Sequence, residues 1–280
     1  MLRRSPRRPP EHSTHPSEGV YRAVNGLGRG LLAALDVDLH GAGIGNIPRT
    51  GPVLLASNHV GYLDFVLLER AAVERGRFVR FLCRHDVWDA PGPVGWAMDR
   101  MGHVPVDRAA PAGAYLTARS RLRSGDAVCV FPEAGISWSW TVRSLMPGVA
   151  ALARETGVPI VPAAVWGSQR IYTVGAEVDG RPPGPDWTRG RPVDLAFGEP
   201  IPVAATDDLT ATTRHLGAVL TGMLEDLQTR PRHRPRPGEH APWYPAHLGG
   251  DAPTRLAARE LDSVPRSAVT PTWGPLPADA

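Results

Sequence analysis

With 280 residues, 42% hydrophobic and 21% charged, the chain is long enough for one large α/β domain and too apolar to be disordered throughout. All 31 basic residues are arginine, which excludes a lysine nucleophile or Schiff base, and the net charge is +3. No run approaches the ~20 apolar residues of a spanning helix, and the basic start lacks the apolar core of a secretory signal. The expectation is a cytoplasmic protein that meets a membrane only at its surface.

Residues 1–18 are rich in proline and arginine without periodicity, so they read as a disordered basic arm. Arg3, Arg4, Arg7 and Arg8 could attract anionic lipid or nucleic acid, or could simply solvate a tail. Residues 20–35 give a helical pattern interrupted by glycines, which fits an amphipathic helix lying on the domain or on lipid, with core packing favoured. Between residues 19 and 230, short Val/Ile/Leu/Phe-rich runs alternate with longer amphipathic segments.

Strands are predicted at 52–57, 78–83, 103–108, 127–131, 160–165 and 193–198. Helices are predicted at 64–76, 91–101, 112–124, 148–157 and 208–229. This alternation defines a single α/β domain with a mostly parallel, mixed sheet covered by helices. Cys83 and Cys129 lie in apolar runs and read as buried strand cysteines. Residues 231–280 hold ten of the thirty prolines and read as an extended tail.

The segment "SNHVGYLD" (57–64) ends the strand at 52–57. Five residues along a continuous helix would leave His59 and Asp64 about 140° apart, so the pair needs a turn between them, for which Gly61 offers backbone freedom. Asp64 then opens the next helix, where a carboxylate suits the positive end, and can fold back to orient the imidazole. Such a pair is a general base for an alcohol and needs no serine or cysteine nucleophile. Two further segments end at strand termini, where open α/β sheets host ligands: "MGHVPVDR" (101–108) and "VFPEAGIS" (130–137). Arg108 there could hold a phosphate, and Glu133 could bind a hydroxyl or pair with Arg108.

These blocks together resemble the glycerolipid acyltransferase family that includes the 1-acylglycerol-3-phosphate (lysophosphatidic acid) acyltransferases. His59 with Asp64 resembles its His-x4-Asp motif, and Gly102 with Val106-Asp107-Arg108 its second block. Phe131-Pro132-Glu133 resembles the start of its Phe-Pro-Glu-Gly block, continued here by Ala134-Gly135, and Val158 to Pro162 resembles the fourth. The resemblance spans about residues 40–200 and implies a glycerol-3-phosphate acyltransferase-like fold. It also implies acyl transfer from a thioester, acyl-CoA or acyl-ACP as co-substrate, to a lysolipid hydroxyl. His59 would be the base, Asp64 its orienter, and Arg108 with Glu133 would place the acceptor's head group. No metal or other cofactor is implied, a peripheral membrane surface is an expected partner, and nucleic acid is not.

Ile136 and Leu145-Met146 stand where the family carries cations, so a phosphate would depend on Arg108 unless Arg143 or Arg170 substitutes. Trp138 and Trp140 beside the third block read either as interfacial anchors or as a packed loop. An acyltransferase for a non-phosphate lipid acceptor, a thioester or ester hydrolase and a non-catalytic lipid-binding module remain as alternatives.

Overall fold

The computed structural model describes residues 18–108, 110–177 and 179–269; the basic arm before Glu18 lies outside them. In chain order the elements are α1 (Glu18–Ala34), β1 (Asp38–Ala42), β2 (Val53–Ser57), α2 (Asp64–Glu74), β3 (Val79–Arg84), α3 (Val94–Met101), β4 (Val104–Val106), α4 (Ala112–Arg123), β5 (Ala127–Val130), α5 (Gly148–Thr156), β6 (Ile160–Trp166), β7 (Pro192–Phe197), α6 (Leu209–Gln228) and α7 (Arg255–Leu261). The strands form one seven-stranded sheet in the order β1-β7-β6-β2-β5-β3-β4. Every neighbouring pair is parallel except β6 and β7, so the sheet is mostly parallel and mixed.

The central strand β2 is buried at all five positions, as a run of apolar residues covered on both faces requires. Its side chains alternate between two cores: Leu54 and Ala56 join the layer of α4, α5 and α6, while Val53 and Leu55 join that of α1 and α2. Complete burial of each such leucine contributes about 1.5–3 kcal/mol. α6 packs through Leu216, Leu220, Leu224 and Leu227, a stripe at helical spacing. Asp208 caps it by accepting a hydrogen bond from the Ala211 amide at 2.8 Å, a contact that contributes about 1 kcal/mol.

Chain connections from the middle strands diverge. From β2 the chain passes to α2 on one face, and from neighbouring β5 it reaches α5 on the other. Where adjacent parallel strands send their connections to opposite faces, a crevice opens at their carboxyl ends. His59 sits in that crevice.

Two elements were not legible in the sequence. β1 ("DLHGA") is a largely exposed edge strand without an apolar run, and it is placed by pairing with β7. The segment from 231 is the larger correction, because its described part, to Val269, packs on the domain instead of trailing away. Ala241 and Tyr244 join the core beside Trp166, and α7 follows with Thr254 as its N-cap. The prolines set extended turns between these contacts, while buried side chains supply the packing that composition alone does not reveal.

α1 also docks on the domain. Tyr21 donates to Glu69 at 3.1 Å and to the Val79 carbonyl, and Asn25 donates to Glu69 at 3.0 Å. Burial pushes the Glu69 carboxyl up to about 7, against the pull of its bonds from Asn25, Val79 and Tyr21 and of the Arg80 charge.

Candidate active site

His59 and Asp64 are brought together by the turn between β2 and α2. Nδ1 of His59 lies 2.8 Å from Oδ2 of Asp64, which also accepts the amides of Val60 at 2.8 Å and Gly61 at 3.0 Å. Its other oxygen accepts from the Ser168 hydroxyl. Asp64 is buried and surrounded by donors, so it acts as an acceptor and fixes the proton of His59 on Nδ1. Among the described residues Nε2 makes no hydrogen bond, and the ring is 20% exposed. One face of the imidazole stacks on Phe131, with centroids 4.2 Å apart.

Gly61 is needed for a reason other than the expected one. Its φ is not positive; a β-carbon there would come within 2.8 Å of the Ser168 hydroxyl and 3.0 Å of its carbonyl carbon. The glycine therefore lets the turn press against Ser168, which in turn reaches Asp64. Asn58 seals the other side of the turn. Its amide donates to the Val165 carbonyl at 3.0 Å and accepts the Val165 amide at 2.8 Å, as a neighbouring peptide would.

Glu133 stands directly behind His59. One carboxylate oxygen accepts the His59 amide at 2.8 Å and the other accepts the Arg143 amide at 2.9 Å. The side chain is 1% exposed, and burial pushes its carboxyl up to about 8. It makes no ion pair with Arg108, and its two oxygens are engaged with backbone. Glu133 thus holds the backbone that carries His59.

Arg108 is exposed just beyond β4, with Nη2 donating to the Ala134 carbonyl at 2.7 Å. Ala134 adopts a left-handed φ of 56°, which turns that carbonyl toward the arginine; Gly135 follows it. Burial lowers the Arg108 guanidinium, and the nearby charges of Arg84 and Arg143 lower it further. Arg84 ends β3, paired in register with Val106 of β4, and it forks onto exposed Asp86 at 3.0 and 2.6 Å. Arg84 and Arg108 make a basic edge at the carboxyl ends of β3 and β4. Sequence reasoning missed Arg84, directly after the strand predicted at 78–83, and Ser168, three residues past the one predicted at 160–165.

Other expected site residues have structural places. Gly102 terminates α3 in a left-handed conformation, and buried Pro132 offers its carbonyl to the Met146 amide at 2.8 Å. Pro162 is buried within β6, beside Ala56 of β2. Arg143 does not supply the missing cation: it is buried and paired with Asp262 at 3.0 Å. Arg170 lies 3.8 Å over the Trp243 ring. Ile136 is inside the core, and so is Trp140, whose indole donates to the Pro242 carbonyl at 2.8 Å; for Trp140 the packed loop replaces the interfacial anchor. No group of three or more His, Cys, Asp or Glu among the described residues is placed to hold a metal ion.

The Acyltransferase family model matches residues 39–166 of this chain, the stretch that carries the blocks described above. Among its relatives are the chloroplastic 1-acyl-sn-glycerol-3-phosphate acyltransferases of Brassica napus and Arabidopsis thaliana, each 30% identical over 139 residues. That alignment covers 48% of this chain but only 39% of the Brassica protein and 38% of the Arabidopsis one. An uncharacterized Mycobacterium tuberculosis protein is 31% identical over 149 residues, 49% of this chain and 39% of its own. The crystal structure of the 1-acyl-sn-glycerophosphate acyltransferase from Thermotoga maritima shares the fold, with a TM-score of 0.61 and 24% identity over 76% of this chain and 81% of that one.

Proposed function

We propose that the protein is an O-acyltransferase that moves a fatty acyl group from a thioester, on coenzyme A or acyl carrier protein, to the hydroxyl of a lysophospholipid. The observation that carries this reading is the His59–Asp64 pair: Nδ1 is tied to a buried carboxylate and Nε2 has no partner among the described residues. Nε2 removes the acceptor's hydroxyl proton as the oxygen attacks the thioester carbonyl. The thiolate leaves, and Asp64 stabilises the imidazolium that forms. No acyl-enzyme is needed.

Arg84 and Arg108 are the cations for the acceptor's phosphate. Buried Ile136 and ion-paired Arg143 leave this edge to do the work. Apolar side chains exposed on neighbouring elements suit a bilayer surface: Leu27 on α1, Tyr62 and Phe65 at the start of α2, and Val94 and Trp96 on α3. No described helix is long and apolar enough to cross a membrane, so attachment would be to one face.

Purified protein incubated with an acyl thioester and a panel of lysolipids is expected to yield the diacyl product, identified by mass. Free fatty acid regardless of acceptor would make it a hydrolase, and no turnover with retained lipid binding would make it a binding module. Arg84→Ala and Arg108→Ala should each raise KM for a phosphate-bearing acceptor about tenfold, the loss of one charge-assisted contact. KM for a neutral acceptor should stay unchanged. Equal effects on both acceptors would remove the phosphate assignment.

A further inference from the structure

The family match ends at residue 166, yet both supports of the His59–Asp64 pair are held by residues 241–269. The first support is the turn Ser168–Arg170, whose Ser168 hydroxyl reaches Asp64. Trp243 grips this turn: its ring lies under the Arg170 guanidinium at 3.8 Å, and its carbonyl accepts from Gln169 at 3.3 Å. The second support is the loop after β5, whose Glu133 holds the His59 amide. Pro242, Asp262, Ser263 and Val269 all bond to that loop.

Asp262, just past the end of α7, makes the most direct connection. Its Oδ1 accepts from Arg143 Nη1 at 3.0 Å and from the Trp138 amide at 3.3 Å. The same guanidinium donates to the Ile136 carbonyl at 3.2 Å and the Ser263 carbonyl at 3.3 Å. Both partners of the ion pair are 7% exposed. The backbone amide of Arg143 is the second donor to Glu133, so a continuous path runs from Asp262 through Arg143 and Glu133 to the peptide of His59.

We propose that Asp262 is a positioning residue of the active site, and that residues 241–269 form a clasp that fixes the histidine from both sides. A buried ion pair contributes little to stability relative to a well-packed apolar pair, but its directional bonds specify one arrangement of the loop. Displacing a catalytic group by about 1 Å can cost about a hundredfold in rate, so such a fixed path has a kinetic consequence. Its kinetic readout rests on the acyltransferase reading; its structural readout does not.

The test compares Asp262→Ala, Asp262→Asn and the full-length wild type. Asp262→Ala is expected to lower kcat about tenfold or more with KM for both substrates within about twofold. The His59 amide, followed by hydrogen exchange, should exchange about tenfold faster while amides of β7 keep their rates. Asp262→Asn, which retains one acceptor oxygen, should fall between. Unchanged His59 exchange and kcat in folded Asp262→Ala would overturn the proposal, and so would exchange that quickens uniformly across the domain. If the alanine variant does not fold, the asparagine variant decides by the same two readouts. A wild type that transfers no acyl group refutes the functional reading, while His59 exchange still tests the clasp.

Discussion

Two of the histidine–aspartate pairs among the described residues have opposite surroundings. His59 and Asp64 meet at the carboxyl end of the central strand, where the ring is 20% exposed and its second nitrogen is open. His233 meets Asp194 of β7, both essentially without solvent contact, and the second nitrogen of His233 is buried with no partner among the described residues. Arg230 at 2.9 Å and Arg232 at 3.6 Å add charge to Asp194. On the proposed reading the same pair of side chains is a base in one place and a rivet in the other, and access to the second nitrogen makes the difference.

Exchanging the readouts would break this comparison if it is wrong. His59→Ala should cut acyl transfer about 10²–10⁴-fold while leaving the urea midpoint nearly unchanged, since its ring sits at the rim. His233→Ala should do the reverse, with a loss of about 3 kcal/mol in stability because it empties a fully buried site and takes one partner from buried Asp194, leaving it Arg230 and Arg232, and kcat of the folded fraction within about twofold. A His233 variant that is stable but inactive would make the sealed pair part of the chemistry. The sealed pair also has a signature in acid. Burial would raise Asp194, but the His233 bond and the charges of His233, Arg232 and Arg230 outweigh it and hold its carboxyl below the ordinary range. That stability is present above the unfolded carboxylate value and is lost as pH falls through the folded one.

Glu69 sharpens the contrast, being sealed like Asp194 but held mainly by neutral donors. Its carboxyl is raised to about 7, so the linkage has the opposite sign: the stability it contributes is full below pH ~4.5 and lost as pH rises toward 7. Across that window the loss is up to about 3 kcal/mol, from ~1.4 kcal/mol per pH unit. Glu69→Gln should remove this share of the slope in denaturant titrations, leaving the share of Glu133, which runs on to about pH 8. An unchanged slope would mean that Glu69 is ionised throughout, stabilised by Arg80 and its donors.

How far the sequence reached follows the same division. The central strands and their helices were legible because burial on both faces writes an apolar run, and His59 with Asp64 because the separation demands a turn. β1 was hidden because its position comes from a partner more than 150 residues away, at Asp38 against Pro192. The packing of 231–269 was hidden because it depends on single side chains such as Tyr244 and Asp262, set among prolines that resemble a tail. At the site, the identity of Glu133 was readable but its direction was not. Which way a carboxylate faces at the end of a strand depends on the loop that closes over it, and here that loop is fixed by residues far along the chain.

The smallest effect concerns the loop between His59 and the basic edge. Ala134 holds a left-handed φ of 56°, a conformation that costs a non-glycine residue about 1–2 kcal/mol. Glycine would relieve this strain but would give the unfolded chain about 0.5–1 kcal/mol more entropy to lose, so Ala134→Gly should gain under about 1 kcal/mol. A rise of up to about 3 °C in Tm is expected. The bond from Arg108 goes to the backbone carbonyl, which glycine retains, so KM for the acceptor should not change. A fall in Tm would mean that the Ala134 methyl packs productively. A raised KM would mean that the alanine's stiffness aims the carbonyl at Arg108, making this loop part of the open site instead of its frame.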